Sequence, residues 1–369
     1  MEKDAQFDIY LVATPGLEAP LLTEAREAGF PAELADGGVA FRGGWPEVWR
    51  ANLDLRGATR VLVRIGAFRV LHLAQLDKRA RKFPWADFLH RGTRLKVETT
   101  CRQSKVYHAG AASQRIERAL VEELGAVLDP AATLVVKVRI EDDLCTISLD
   151  STGESLHKRG HKEAVGKAPM RETMAAMFLR EAGFTGTEPV LDPMCGSGTF
   201  PIEAAEIALG LQPGRSRSFA FQDFASFDPA AFEKLHHGAT RSAPGFRFYG
   251  SDRDAGAITS SRKNAERAGV TELTQFDNRP ISEITPPEGP AGLVIINPPY
   301  GARIGNKKPL FALHGALGQV LKERFSGWRI ALVTSEQSLA KATGLPFEAG
   351  PYVAHGGLKV RLYQTRALP

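Results

Sequence analysis

Along this 369-residue chain, apolar positions follow two regimes. From residue 189 onward, short apolar blocks alternate with segments whose apolar residues recur every three or four positions. The blocks at 190–192, 246–252, 273–277, 293–297 and 330–334 read as strands, and the segments at 199–209, 254–268 and 309–325 as helices between them. Such alternation predicts a parallel sheet with crossover helices, an α/β architecture. The rhythm changes at the end. Residues 352–355, the pair Gly356-Gly357 and residues 358–363 predict a hairpin, so the sheet closes with antiparallel strands.

The first half has a different grain. Strands are expected at 7–13, 39–41, 58–70, 134–140 and 145–149, and helices at 17–28 and 112–124. Glu141-Asp142-Asp143 supplies a hairpin turn. These segments make an α+β arrangement without a catalytic constellation. A basic connector at 157–162 follows, and Met170, Thr173, Met174, Met177 and Phe178 then recur at helical spacing after Pro169, a core stripe.

Composition adds charge to this picture. The chain carries a net charge of +5, with 47 Lys and Arg against 42 Asp and Glu. Residues 77–105 hold nine of the basic residues and three acids, with Phe83, Trp85, Phe88 and Tyr107 interleaved or close by. A solvated face is the plain reading of a charge run. Cations mixed with aromatics also suit a phosphate backbone with stacked bases, and Lys78, Arg79, Arg81, Lys82, Arg102, Lys105 and Tyr107 are the candidate RNA contacts. Lys158 and Arg159 of the connector join them. Cys101, Cys145 and Cys195 are far apart and form no Cys-x-x-Cys pair, so reduced thiols and no metal site are expected. His157 and His161 lack a completing carboxylate or thiol. Neither a signal peptide nor a membrane span is legible, and a cytoplasmic location is expected.

Candidate chemistry gathers at the ends of the expected parallel strands. Asn297-Pro298-Pro299-Tyr300-Gly301 follows the apolar run at 292–296. Two prolines end the strand and stiffen the turn. The turn presents the Asn297 amide, the Pro298 carbonyl and the Tyr300 ring where open α/β sheets hold their ligands. That trio suits a planar amine, with two acceptors for its hydrogens and a ring to stack on its carrier.

A second cluster, Asp192-Pro193-Met194-Cys195-Gly196-Ser197-Gly198-Thr199, passes from strand to helix with glycines that permit close approach to a ligand. Pro201 stands where a nicotinamide fingerprint would want glycine, and no lysine makes a phosphate loop. Asp252, in Gly250-Ser251-Asp252-Arg253-Asp254, can accept both hydroxyls of a ribose, and Asp277 is placed for an adenine amino group. Asp252 and Asp254 are alternatively helix caps.

In this order, Asp192 to Thr199, Asp252, Asp277 and Asn297 to Tyr300 resemble an S-adenosylmethionine-dependent amino-methyltransferase. More narrowly, the chain resembles the THUMP-domain RNA guanosine-N2 methyltransferases, especially the bacterial family acting on 23S ribosomal RNA. The likeness extends to Pro15-Gly16-Leu17-Glu18, Ser104-Lys105-Val106-Tyr107-His108, Leu156-His157-Lys158-Arg159-Gly160, Arg171-Glu172-Thr173 and an insertion around Phe219-Ala220-Phe221-Gln222-Asp223. Two departures stand out: Ala302-Arg303 where the family often has Glu-Arg, and Gly160-His161-Lys162 where an aromatic-Arg pair is common.

The resemblance implies a Rossmann-like methyltransferase domain, mostly parallel with a terminal antiparallel hairpin, preceded by α+β ferredoxin-like and THUMP modules. The expected limits are 1–65 (ferredoxin-like), 66–155 (THUMP), 156–188 (connector and helix) and 189–369 (methyltransferase). It further implies S-adenosyl-L-methionine as cofactor, held by Asp192, Pro193, Cys195, Gly196, Ser197, Gly198, Thr199, Asp252, Arg253, Asp277 and Asn297, with Asn297, Pro298 and Tyr300 catalytic. The implied substrate is the N2 amine of a guanosine in 23S ribosomal RNA. The alternatives are transfer RNA, a DNA adenine or protein glutamine methyltransferase using the same turn, and a non-catalytic RNA-binding or ribosome-assembly protein.

Overall fold

Short apolar runs become strands and amphipathic segments become helices in a computed structural model of the protein, which describes residues 5–163, 170–299 and 308–369. Pro169 and the residues from Tyr300 to Arg303 lie outside the described residues. The first half contains β1 (Phe7–Val12), α1 (Glu18–Glu27), β2 (Glu33–Ala35), β3 (Gly38–Gly43), α2 (Trp45–Asp54) and β4 (Arg60–Arg69). It continues through α3 (Leu73–Arg81), β5 (Arg94–Arg102), α4 (Ala109–Ala119), β6 (Val127–Leu128), β7 (Val135–Glu141) and β8 (Leu144–Asp150). The second half begins with α5 (Glu172–Glu181), β9 (Val190–Asp192), α6 (Thr199–Leu209), α7 (Pro229–Glu233), β10 (Phe248–Asp252), α8 (Ala255–Ala268) and β11 (Thr274–Asn278). It ends with β12 (Leu293–Ile296), α9 (Lys308–Arg324), β13 (Arg329–Thr334), α10 (Gln337–Ala342), β14 (Glu348–Ala349), β15 (Val353–His355) and β16 (Leu358–Gln364).

The chain divides into two units. The first comprises Met1–Ala13, Leu21–Leu156 and Arg217–His236. Its eight strands form one sheet in the order β2-β3-β1-β4-β8-β7-β5-β6. The ferredoxin-like and THUMP halves therefore share a sheet, and β4 runs through the 65/66 position expected to part them, with a bulge between Arg64 and Gly66. Asp142 and Asp143 both take positive φ, which gives the β7–β8 hairpin the two left-handed residues that a tight turn of matching twist requires.

Arg217–His236 belongs to this first unit, although it falls inside the expected 189–369 span. The cause is aromatic packing. Trp45 and Trp49 of α2 are buried, and Trp45 meets Phe224 while Trp49 meets Phe221, Phe227 and Phe232 at centroid distances of 5.7 to 6.3 Å. Burying such rings dominates local stability.

The second unit comprises Thr14–Pro20, His157–Ser216 and His237–Pro369. Its sheet runs β11-β10-β9-β12-β13-β16-β14, with β15 paired to β16. Strands β9 to β13 are mutually parallel, while β16 is antiparallel to β13. Leu293, Val294, Ile295 and Ile296 are all buried, as expected for a strand covered on both faces. Val294 and Ile296 pack with Ile330, Leu332, Leu317, Leu321 and Phe325 in the core. After β11 the chain returns to the far side of β9 to place β12, so strand order reverses there and opens a crevice at the carboxyl ends.

Candidate active site

Strand β9 delivers Asp192 to this crevice in a fully buried position. Its Oδ1 accepts the Met194 N–H at 3.0 Å. Burial disfavours the charged carboxyl, and Asp252 nearby adds repulsion, so Asp192 is pushed up to about 8. The loop beyond it is pinned from several directions. The Cys195 N–H donates to the Ser251 carbonyl at 2.9 Å, and the Gly196 N–H donates to Asp252 Oδ2 at 3.0 Å. Helix α8 contributes two more ties: Ser261 Oγ donates to the Gly196 carbonyl at 2.8 Å, and Asn264 Nδ2 to the Ser197 carbonyl at 3.0 Å. A Cβ added at Gly196 would meet nothing within 4 Å, so open space lies beside that stretch of backbone. Burial also raises the Cys195 thiol far above its ordinary value, which makes it a packing group.

Asp252 ends β10, where its second oxygen accepts the Asp254 N–H at 3.0 Å. Asp254, not Asp252, caps α8, accepting from the Gly256 N–H at 2.8 Å. One strand over, Ser251 is in register with Asp277 of β11. Asp277 Oδ2 accepts from Gln275 Nε2 at 3.1 Å. Together with Leu191, Tyr249, Gln275, Arg279, Ile284 and others, Asp277 lines an open cleft. Ser251 Oγ, also on the cleft, is shut from solvent without a hydrogen-bond partner among the described residues.

Strand β12 runs parallel beside β9 and carries Asn297 just past its carboxyl end. Asn297 Oδ1 is buried and accepts no hydrogen bond among the described residues. An acceptor in this position can receive a hydrogen bond from a ligand. Pro298 is buried behind it. Tyr300, the expected stacking ring, lies outside the described residues.

Asp192, Gly196, Asp252, Asp277 and Asn297 thus share one edge of one sheet. Arg253, next to Asp252, is exposed. Thr199 Oγ1 is engaged by Lys162 Nζ at 2.9 Å. Arg159 is 1% exposed and ion-paired to Glu203 at 3.2 Å, so it is a core group and not an RNA contact. Trp85 and Phe88, aromatics of the basic stretch, are core residues as well. Arg81 is ion-paired to Asp77, Glu122 and Glu123. Lys78, Arg79, Lys82, Arg102 and Lys105 are exposed, as is Lys158, and Tyr107 is 81% exposed. Sequence reading missed Ser261, Asn264, Gln275 and Ser251, because polar residues on a helix or strand carry no periodic signal of their own.

The residues present fit an adenosine-bearing sulfonium: two carboxylates at neighbouring strand ends, apolar walls, and backbone open to close approach. No group of three or more metal-ligating side chains occurs among the described residues. No helix among them is long and apolar enough to cross a membrane.

Comparison with known proteins agrees with this geometry. Residues 159–349 match the family described as RMKL-like, methyltransferase domain. Residues 8–62 match the RlmL ferredoxin-like domain, and residues 72–150 match the THUMP domain. Among solved structures, the SMU.472 methyltransferase complexed with SAH is 25% identical over 100% of both chains, with a TM-score of 0.87. A possible methylase from Clostridium difficile 630 is 27% identical over 99% of each chain, with a TM-score of 0.88. A predicted N6-adenine-specific DNA methylase from Listeria monocytogenes str. 4b F2365 is 28% identical, covering 99% of this chain and 97% of its own, with a TM-score of 0.86. The chain belongs to the RMKL-like methyltransferase family, with a ferredoxin-like and a THUMP domain ahead of its Rossmann-like methyltransferase domain.

Proposed function

We propose that this protein methylates the exocyclic N2 amine of a guanosine in 23S ribosomal RNA. The observation that carries the amine assignment is the buried, unpartnered Asn297 Oδ1 at the carboxyl end of β12. S-adenosylmethionine is the cofactor of this methyltransferase domain. Asp252, Asp277 and the loop from Asp192 to Gly198 would hold it, and when bound it supplies a methyl group already activated on a sulfonium.

What remains for the protein is to hold the amine in the right attitude. A guanine amine is a poor nucleophile because its lone pair is delocalised into the ring. Asn297 Oδ1 and the Pro298 carbonyl, accepting its two hydrogens, favour the pyramidal form that frees the pair. Fixing the amine this way contributes part of the ~7–11 kcal/mol available from orientation. Tyr300, two residues after Pro298 in the sequence, would supply a ring for a base drawn out of its stack. No strong base is needed in advance, since the amine sheds its proton readily once alkylated.

RNA as substrate is supported by the THUMP domain and by the exposed Lys78, Arg79, Lys82, Arg102, Lys105 and Tyr107. A second reading is adenine N6 in DNA, favoured by the name of the Listeria relative and by a turn equally suited to that amine. Mass spectrometry of nucleosides from a deletion strain separates these. Loss of N2-methylguanosine from 23S ribosomal RNA supports the proposal. Loss from transfer RNA alone, or of N6-methyladenine from DNA, overturns the assigned substrate, and absence of any calorimetric cofactor binding would mean a non-catalytic RNA-binding protein.

A further inference from the structure

We propose that the β15–β16 hairpin of the methyltransferase unit is a second RNA-gripping surface, with Tyr352 as a base-stacking platform and Lys359 as a phosphate contact. The proposal rests on RNA being the substrate. Its basis is where the hairpin lies and how firmly Tyr352 is held there.

The middle of strand β16 lies beside the carboxyl end of β13, where Thr334 is in register with Arg361 and Val333 with Leu362. Strand β13 in turn pairs with β12, Ile296 opposite Leu332. Arg361 of β16 is therefore about two strand spacings, roughly 10 Å measured across the strands, from the strand that carries Asn297, on the same edge of the sheet. The hairpin continues outward from that edge.

Tyr352 is 60% exposed, which is unusual for a large ring that is also tightly anchored. The Arg361 guanidinium sits 4.6 Å from its ring centroid and 5.9 Å from that of buried Tyr363. Arg361 Nε also donates to the Gly350 carbonyl at 2.7 Å, so the cation is fixed before any ligand arrives. The Tyr352 main chain is clamped as well. The Ala354 N–H donates to the Pro15 carbonyl at 3.0 Å, and a Cβ on Gly16 would lie 2.1 Å from the Tyr352 carbonyl oxygen. This gives Pro15-Gly16 a role: it seats the segment that presents the ring. Solvent exposure with so little freedom is the property of a stacking platform, because little conformational entropy is left to lose on binding.

Charge points to the same partner. From residue 349 to residue 369 the chain contains Lys359, Arg361 and Arg366 and no acid. Lys359 is exposed on β16, and Arg171 is near enough for its charge to act on His355 in β15. A nucleic-acid strand leaving the crevice fits both features, backbone to the cations and a base on the ring.

The test compares Tyr352→Ala, Tyr352→Phe and Lys359→Ala in the full-length protein, with RNA affinity by fluorescence anisotropy, steady-state methylation and SAH affinity by calorimetry. Tyr352→Ala is expected to raise the Kd and KM for RNA about tenfold, the loss of one stacked base, with SAH affinity and kcat within twofold. Tyr352→Phe restores RNA affinity. Lys359→Ala lowers the slope of log affinity against log salt by about 0.7, one phosphate contact fewer. An RNA affinity within twofold of wild type in both alanine variants overturns the proposal while leaving the substrate reading intact. A wild-type protein inert on RNA overturns both. If the Tyr352 alanine variant fails to fold, Lys359→Ala decides alone, and an unchanged salt slope then overturns the proposal.

Discussion

Asp252 Oδ2 accepts a hydrogen bond from the backbone N–H of Gly196, 3.0 Å away. One carboxylate thereby ties the loop after β9 to the end of β10, and its other oxygen accepts the Asp254 N–H. Removing it should loosen the loop and delete a ribose acceptor at once. Asp252→Ala is expected to weaken SAH binding about ten- to a hundredfold by calorimetry, in line with losing a charged hydrogen-bond acceptor. Asp252→Asn keeps one acceptor oxygen and should lose less. Equal affinity in the alanine variant would contradict this role.

Asp192 gives a pH signature. Burial, with repulsion from Asp252, pushes its carboxyl up to about 8, whereas in the unfolded chain it titrates near ~3.9. Between those values the folded state holds a proton that the unfolded state has released. Stability contributed at this site is therefore present below about pH 4, falls as pH rises toward 8, and is level beyond. In the ligand-free protein, the Tm of Asp192→Asn should gain on wild type from pH 5 to pH 8. A difference that stays constant with pH would show that Asp192 is ionised throughout.

Arg159 and Glu203 are buried together, 1% and 2% exposed at 3.2 Å. Breaking such a pair strands a charge, so Arg159→Met should cost about 3–5 kcal/mol in chemical denaturation, while Arg159→Met with Glu203→Met should recover most of it. The salt dependence of RNA binding should not change. A lowered salt slope without lost stability would return Arg159 to the RNA surface.

The parts of this fold that follow one simple pattern were readable in advance. Residues 293–296 are apolar because both faces are covered. Asp192, Asp252, Asp277 and Asn297 fall at strand ends because the alternation of strand and helix puts them there. What escaped depends on partners remote in sequence. The stretch around Phe219 to Asp223 reads as an insertion in the methyltransferase domain, yet Phe221 and the rings after it, Phe224, Phe227 and Phe232, pack on Trp45 and Trp49 in the first unit. Ser261 and Asn264 look like ordinary helix-surface residues until the loop carbonyls they bind are in place. In the connector, Arg159 reads as an RNA contact, but it pairs with Glu203, and its neighbour Lys162 pairs with Glu172 at 3.0 Å. A charge run reports composition, and only its acidic partners decide whether it is buried.

The central claim is that Asn297 Oδ1 receives the substrate amine. Single-turnover methylation of ribosomal RNA by Asn297→Ala, alongside its SAH affinity, tests this most directly. The expected result is a rate lowered about a hundred- to a thousandfold with SAH affinity within twofold of wild type. Methylation at the wild-type rate by the alanine variant would contradict it.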